Sequence, residues 1–322
     1  MITIKRVRAV AILATLAISA FSAASVFAAA PMAKTAAPGF FRMMLGDFEV
    51  TSLSDGTVDL PVEKLLKNTT PTKVTQALSK SYLKSPLETS VNAFVINTGG
   101  KLILIDTGAS TLFGPTLGKL LANLRASGYQ PEQIDEIYIT HMHADHVGGL
   151  MTNGQIAFPN AIVRANKHES DFWLSQANMD KAPAEAKSFF QNAMTSINQY
   201  VAAEKYKPFD GDAELTPGVR AYSSKGHTAG HSSYIVESKG DKLVLVGDLI
   251  HVGAVQLENP SVTITFDANN KEAEAERKKE FSKAAKQGYL IGAAHLPFPG
   301  LGHLRADGKG FRWLPVNYTQ LH

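Results

Sequence analysis

The chain has 322 residues, 44% of them hydrophobic, with 32 Lys and Arg against 29 Asp and Glu for a formal charge of +3. Lys5, Arg6 and Arg8 make up that whole excess and sit ahead of the apolar run from Ala9 to Phe21, so the remainder is neutral and its charge points to neither nucleic acid nor an anionic membrane as partner. No cysteine is present, which excludes disulfides and thiolate metal ligands.

The basic start, the apolar run and Val26-Phe27-Ala28 together read as a secretion signal over 1–28, cleaved after Ala28 with Ala30 as the alternative. The expected location is the periplasm, with no membrane attachment after cleavage. Residues 29–40 read as a flexible lead, and 41–322 as one domain long enough to bury its own core. "FEVTSLSDGTVDLPV" predicts a hairpin turning at Ser54-Asp55-Gly56. "VNAFVINTGGKLILIDTG" predicts a second one turning at Thr98-Gly99-Gly100. "LFGPTLGKLLANLRASGY" has helical spacing at Leu112, Leu117, Leu120, Leu121 and Leu124, closed by Gly128. "IDEIYIT" then predicts a buried strand. Residues 168–205 are mostly helical and rich in aromatics. "YIVESKGDKLVLVGDLI" repeats the logic of the second hairpin, with Asp248 corresponding to Asp106, which suggests two related β-rich halves flanked by helices. "KEAEAERKKEFSKAAKQ" predicts a charged helix with a solvated face.

The chemistry concentrates in "ITHMHADHVGG". His141 and His143, two apart in extended chain, put both rings on one side. Asp145 and His146 follow where the chain turns, and Gly148-Gly149 let it turn tightly. One short loop can thus offer ligands to two neighbouring points, and metal binding is the commonest reason for such a cluster. Further ligands would have to come from strand ends elsewhere: His227 in "KGHTAGHS", Asp248 after the run Leu243–Gly247, and His295 after "YLIGAA".

Taken in order, "THMHADH", "GHTAGH", "GD" and "AAH" resemble the motifs of the metallo-β-lactamase superfamily. The resemblance implies an α/β fold, an αβ/βα four-layer sandwich of two related halves in one domain. It also implies two divalent metal ions, with zinc the default for His and carboxylate ligands and manganese, iron or cobalt as alternatives. His141, His143 and His227 would hold one ion, Asp145, His146 and His295 the other, and Asp248 would bridge them. Asp106 would orient a metal-bound imidazole, and His231 would serve as a supporting residue. Ala229 departs from the usual GHTPGH without removing a ligand. His168, His251, His303 and His322 lack a ligand-like setting and read as surface or pocket lining.

"FRMMLGDFEVTSLSDGTVDLPV", "PLETSV", "LFGPTLGKLLANL", "GYQPEQIDEIYITHMHADHVGGLM" and "DFWLSQAN" further resemble the branch that holds methyl parathion hydrolase and its dihydrocoumarin-cleaving lactonase relatives. That resemblance implies a hydrolase in which a metal-bridging hydroxide attacks a carbonyl carbon or phosphorus, with Asp145 or Asp248 handling the proton. Phe113, Trp173, Phe189 and Phe190 sit where relatives line an aromatic site, with ordinary helix core as the alternative for Phe189 and Phe190. Leu65, His251, Ile264 and Phe266 stand where the organophosphate-cleaving members carry arginine, leucine, threonine and leucine. Phe266 narrows the site, which favours a small neutral aromatic lactone or ester over a phosphotriester, the runner-up substrate. Asp248 argues against the penicillin-cleaving branches, and export argues against the thioester-cleaving one. A periplasmic metal-binding protein without catalysis is the rival from another class, and a homodimer remains open.

Overall fold

A computed structural model describes residues 30–321 of the chain. The expected signal segment and His322 lie outside the described residues. Residues 30–36 are exposed and without regular secondary structure. Of the described residues, 37–321 form a single compact unit, whose first strand already begins at Phe40.

Two sheets organise that unit. The first holds β1 (Phe40–Leu45), β2 (Phe48–Leu60), β3 (Leu87–Asn97), β4 (Leu102–Ile105), β5 (Glu136–Tyr138) and β6 (Ile162–Arg164), in that spatial order. The second holds β7 (Ala213–Thr216), β8 (Val219–Ser223), β9 (Ser232–Ser238), β10 (Asp241–Leu245), β11 (Leu290–Gly292), β12 (Leu301–Asp307) and β13 (Gly310–Pro315). The two halves echo each other as the sequence suggests. In each, an antiparallel hairpin (β3–β4, β9–β10) is followed by a strand parallel to its second arm (β5, β11).

Side-chain alternation builds the layers. Phe94, Ile96, Ile103 and Ile105 of the first sheet meet Tyr234, Val236, Leu243 and Leu245 of the second in a core between the sheets. Their neighbours Ala93, Val95, Leu102 and Leu104 point the other way, onto helices α1 (Leu120–Ala126) and α4 (Lys187–Ala202). Between those helices in sequence come the short α2 (Ala144–Val147) and α3 (Lys167–Trp173). On the far face of the second sheet, Val244 and Ile291 pack against Phe281 and Ala284 of α5 (Asn270–Gln287). Helix, sheet, sheet, helix is the four-layer order expected.

Two local expectations are corrected. Ser54-Asp55-Gly56 is not a hairpin turn but a bulge inside one continuous strand, β2, with Gly56 at φ +126 and the register slipping between Ser54 and Gly56. The turn lies earlier, at Gly46-Asp47, where Leu45 pairs with Phe48. Asp55 instead turns its carboxylate inward, accepting the N–H groups of Ala109, Gly118 and Leu120. The helix expected from Leu112 begins only at Leu120, because Gly114 and Gly118 adopt φ +111 and +83 around Pro115 and keep that stretch a loop. The charged helix has its solvated face, and its other side buries Arg277, which donates to the carbonyls of Leu249, Pro260 and Val262 and ties α5 to the segment that follows Asp248.

Candidate metal centre and substrate cavity

The chemistry gathers where strands end. Asp106 follows β4, the His141–His146 loop follows β5, Asp248 lies in a 3-10 turn after β10, and His295 follows β11. Asp106 accepts the Thr140 N–H and hydroxyl, both at 2.8 Å, which fixes the loop's entry. Within the loop the rings of His141 and His143 stand 4.5 Å apart while Met142 points into the core, as the two-residue spacing predicts. Gly148 and Gly149 serve close approach rather than a tight turn, since a Cβ on them would meet Ala109 O at 2.2 Å and Thr107 O at 1.9 Å.

Among the described residues a third cluster, Asp248, His251 and His295, overlaps two donor sets: His141, His143, His227 and Asp248, and Asp145, His146 and His295. Asp248 faces both. Its Oδ2 lies 3.3 Å from His227 Nε2 and 3.6 Å from His141 Nε2, and its Oδ1 lies 3.2 Å from His146 Nε2 and 3.2 Å from His295 Nε2. Asp145 Oδ2 is 3.4 Å from His295 Nε2, and His143 turns Nδ1 towards the shared point, 3.1 Å from His227 Nε2. All seven residues expected as ligands are brought together.

His141 Nε2, His146 Nε2 and Asp248 Oδ1 are buried without a hydrogen-bond partner among the described residues. Each such orphan costs free energy unless a cation takes it up. Burial and the neighbouring imidazoles hold His141 and His143 well below the usual histidine range, so they are neutral and able to ligate. Burial opposes charge on Asp248, but the imidazoles of His146, His295, His251 and His141 outweigh it and keep its carboxyl well below the usual range. The set therefore fits two divalent cations bound through nitrogen and oxygen.

Supporting residues orient the rings. His146 Nδ1 pairs with Asp106 Oδ2 at 2.8 Å, as expected. His231 lies 5.2 Å from His141 between ring centroids, but its Nε2 accepts the Asp248 backbone N–H at 3.1 Å, so it fixes the turn rather than a ligand ring. Burial and His227 lower it to about 3, which keeps it neutral for that task. Two supporting acids escape the sequence reading. Asp267 Oδ1 pairs with His227 Nδ1 at 2.9 Å, and Glu169, on α3, bonds to both histidine loops. Asp267 sits in "TFDANN" without a signal to mark it. Glu169 is an acid in the first turn of a helix, ordinarily a sign of exposure.

A cavity of about 260 Å³ opens over the centre, lined by Val58, Leu60, Leu112, Phe113, Phe189 and Phe266 along its apolar wall. Asp145, Asp248 and His251 border it. Phe113, Phe189, His251 and Phe266 line the cavity, whereas Phe190 is buried in the core. His251 is more than lining: its Nε2 is 3.1 Å from Asp248 Oδ2 and its ring stacks on His295 at 5.1 Å, a ligand-like setting that the sequence reading denied it. His168 and His303 are exposed, away from the cavity. Trp173, Leu65 and Ile264 do not line the cavity. Trp173 packs edge-on to His143 at 5.5 Å, in the helix core between α3 and α4. Ile264 pairs with Leu66 in a small two-stranded sheet, so it and Leu65 pack in the apolar cluster beneath Phe266. Val58, Leu60, Leu112, Ser188 and Asn192 line the cavity without having been anticipated.

The profile of the metallo-beta-lactamase superfamily matches residues 87–295, well over half of the chain. The chain belongs to that superfamily. Among solved structures, the superfamily hydrolase AbOPH superposes with a TM-score of 0.84 at 38% identity, over 89% of this chain and 100% of that one. The dizinc quorum-quenching lactonase AidC, solved with its product N-hexanoyl-L-homoserine, superposes with a TM-score of 0.81 at 26% identity, over 88% and 99% of the two chains. In sequence, the N-acyl homoserine lactonase of Bacillus cereus is 27% identical over 179 residues, 50% of this chain and 63% of that relative's length. The chain thus spans less than two thirds of the length of this curated lactonase, to which it is similar.

Proposed function

We propose that this superfamily member opens aryl lactones and esters of the dihydrocoumarin type, with two zinc ions and a slower phosphotriesterase side activity. The observation that carries the reading is Asp248, whose carboxylate faces both donor sets at the floor of an apolar cavity. Two divalent cations held there supply a nucleophile drawn from water at neutral pH and a Lewis acid for the substrate carbonyl. The chain's residues do the rest. His141, His143, His227 and Asp248 would hold one cation, and Asp145, His146, His295 and Asp248 the other. Asp106 and Asp267 fix the imidazoles of His146 and His227. Leu60, Phe113, Phe189 and Phe266 exclude water around a flat aromatic ring. Asp145 and Asp248 are the carboxylates that border the cavity.

The resemblance to the methyl parathion hydrolase branch supports phosphotriester cleavage as the alternative main activity. The cavity's small volume and Phe266 weigh against it, because a tetrahedral phosphorus spreads its substituents out of one plane while a bicyclic lactone lies flat. The deciding experiment compares kcat/KM for dihydrocoumarin and methyl paraoxon on the zinc-loaded protein. A preference for the phosphotriester overturns the lactone reading.

A further inference from the structure

Glu169 is fully buried, and among the described residues every hydrogen bond of its carboxylate reaches a candidate metal-ligand loop. Its Oε2 accepts the Met142 N–H at 3.0 Å, between His141 and His143. Its Oε1 accepts the Gly230 N–H at 2.8 Å and the Thr228 hydroxyl, both just beyond His227. Gly230 is glycine for this reason, since a Cβ there would lie 2.6 Å from Glu169 N. Trp173, one helical turn on, lays its ring against His143. The neighbouring donor set is anchored elsewhere. His146 leans on Asp106 while its carbonyl accepts from Thr107, and His295 donates to the Ser90 carbonyl.

We propose that Glu169 is the positioning residue of one cation site alone: its carboxylate holds the His141–His143 and His227 segments together, so the cation bound by those histidines depends on it and the neighbouring one does not. Three donors converge on this group, and only an acceptor at both oxygens satisfies them all. In Glu169→Gln the amide oxygen can serve one loop, but its NH2 then confronts a donor on the other. The substitution keeps the volume and uncouples the loops.

The inference rests on the two-cation reading, and direct zinc titration separates the two. Metal-free wild type and Glu169→Gln are titrated against a competing chelator, and the remaining zinc is located by anomalous scattering in crystals. Wild type should take up two ions. The variant should keep one ion at wild-type affinity, beside His146 and His295, and bind the other about 10–100-fold more weakly, the usual effect of losing a ligand's support. Equal weakening of both sites, or two sites unchanged within threefold, overturns the proposal and leaves the two-cation reading intact. Wild type taking up fewer than two ions overturns both. If Glu169→Gln does not fold, Thr228→Val removes a single bond at Oε1 and must show the same one-sided weakening, or the proposal is wrong.

Discussion

Asp55 pins the loop that carries Leu112 and Phe113 to the cavity, and its removal has a calculable cost. The carboxylate accepts the N–H groups of Ala109 at 2.8 Å and Leu120 at 3.0 Å, both buried, and that of Gly118 at 3.1 Å, which is only partly buried. In Asp55→Ala the Gly118 N–H finds water, but the other two are left without partners at about 1–3 kcal/mol each. Relief from burying the carboxylate returns part of that, so we expect a net loss of about 2–4 kcal/mol. Urea unfolding in the presence of a chelator, with the slope unchanged, measures it free of metal linkage. The pH dependence gives a second handle. Burial raises the Asp55 carboxyl, with the three N–H bonds only partly opposing it, so the folded chain holds a proton that the unfolded one has released. The stability from this group therefore falls as pH rises from the ordinary carboxylate range through the raised value, and the substitution should remove that slope. A loss under about 1 kcal/mol refutes the pin, because it is less than a single orphaned N–H costs.

Asp248→Ala should lower metal content and cut dihydrocoumarin turnover by more than the roughly 100-fold that loss of a supporting residue costs; elemental analysis and kcat on one preparation check it. A variant that keeps both ions and most of its activity refutes the assignment. His251→Leu combined with Phe266→Leu should shift the methyl paraoxon to dihydrocoumarin ratio of kcat/KM upward by about 10–200-fold, as small pocket changes do, and an unmoved ratio removes those residues from substrate choice. We further propose that the chain is exported, so N-terminal sequencing of periplasmic protein should start at or near Ala29; full-length protein active in the cytoplasm would overturn this.

The cluster of candidate ligands was legible because its chemistry is rare and its spacing is not. Few reasons other than metal binding put His141, His143, Asp145 and His146 in six positions, and strand ends located Asp248 and His295. The hairpin at Gly99-Gly100 was legible because an unbroken apolar run stands on each side of it. What stayed hidden was decided by distant partners. Ser54-Asp55-Gly56 carries a turn signal, yet Asp55 uses its carboxylate on backbone more than fifty residues away and the strand runs on. Leu112 and Leu117 match a helical period that Gly114, Pro115 and Gly118 break. Leu65, Trp173 and Ile264 were assigned to the cavity by likeness to relatives, whereas packing sets them one layer behind it.

The candidate cation ligands and the cavity wall come from different parts of the chain. The ligands sit on turns held by strand ends and buried acids, while the wall comes from β2, the 110–119 loop, α4 and Phe266. Selection acting on the wall can thus change which molecule enters without disturbing how its bond is broken. A library confined to Leu60, Leu112, Phe113, Ser188, Asn192 and Phe266 samples new specificities on an intact reaction centre, so most of its members should remain metal-loaded and poised for hydrolysis.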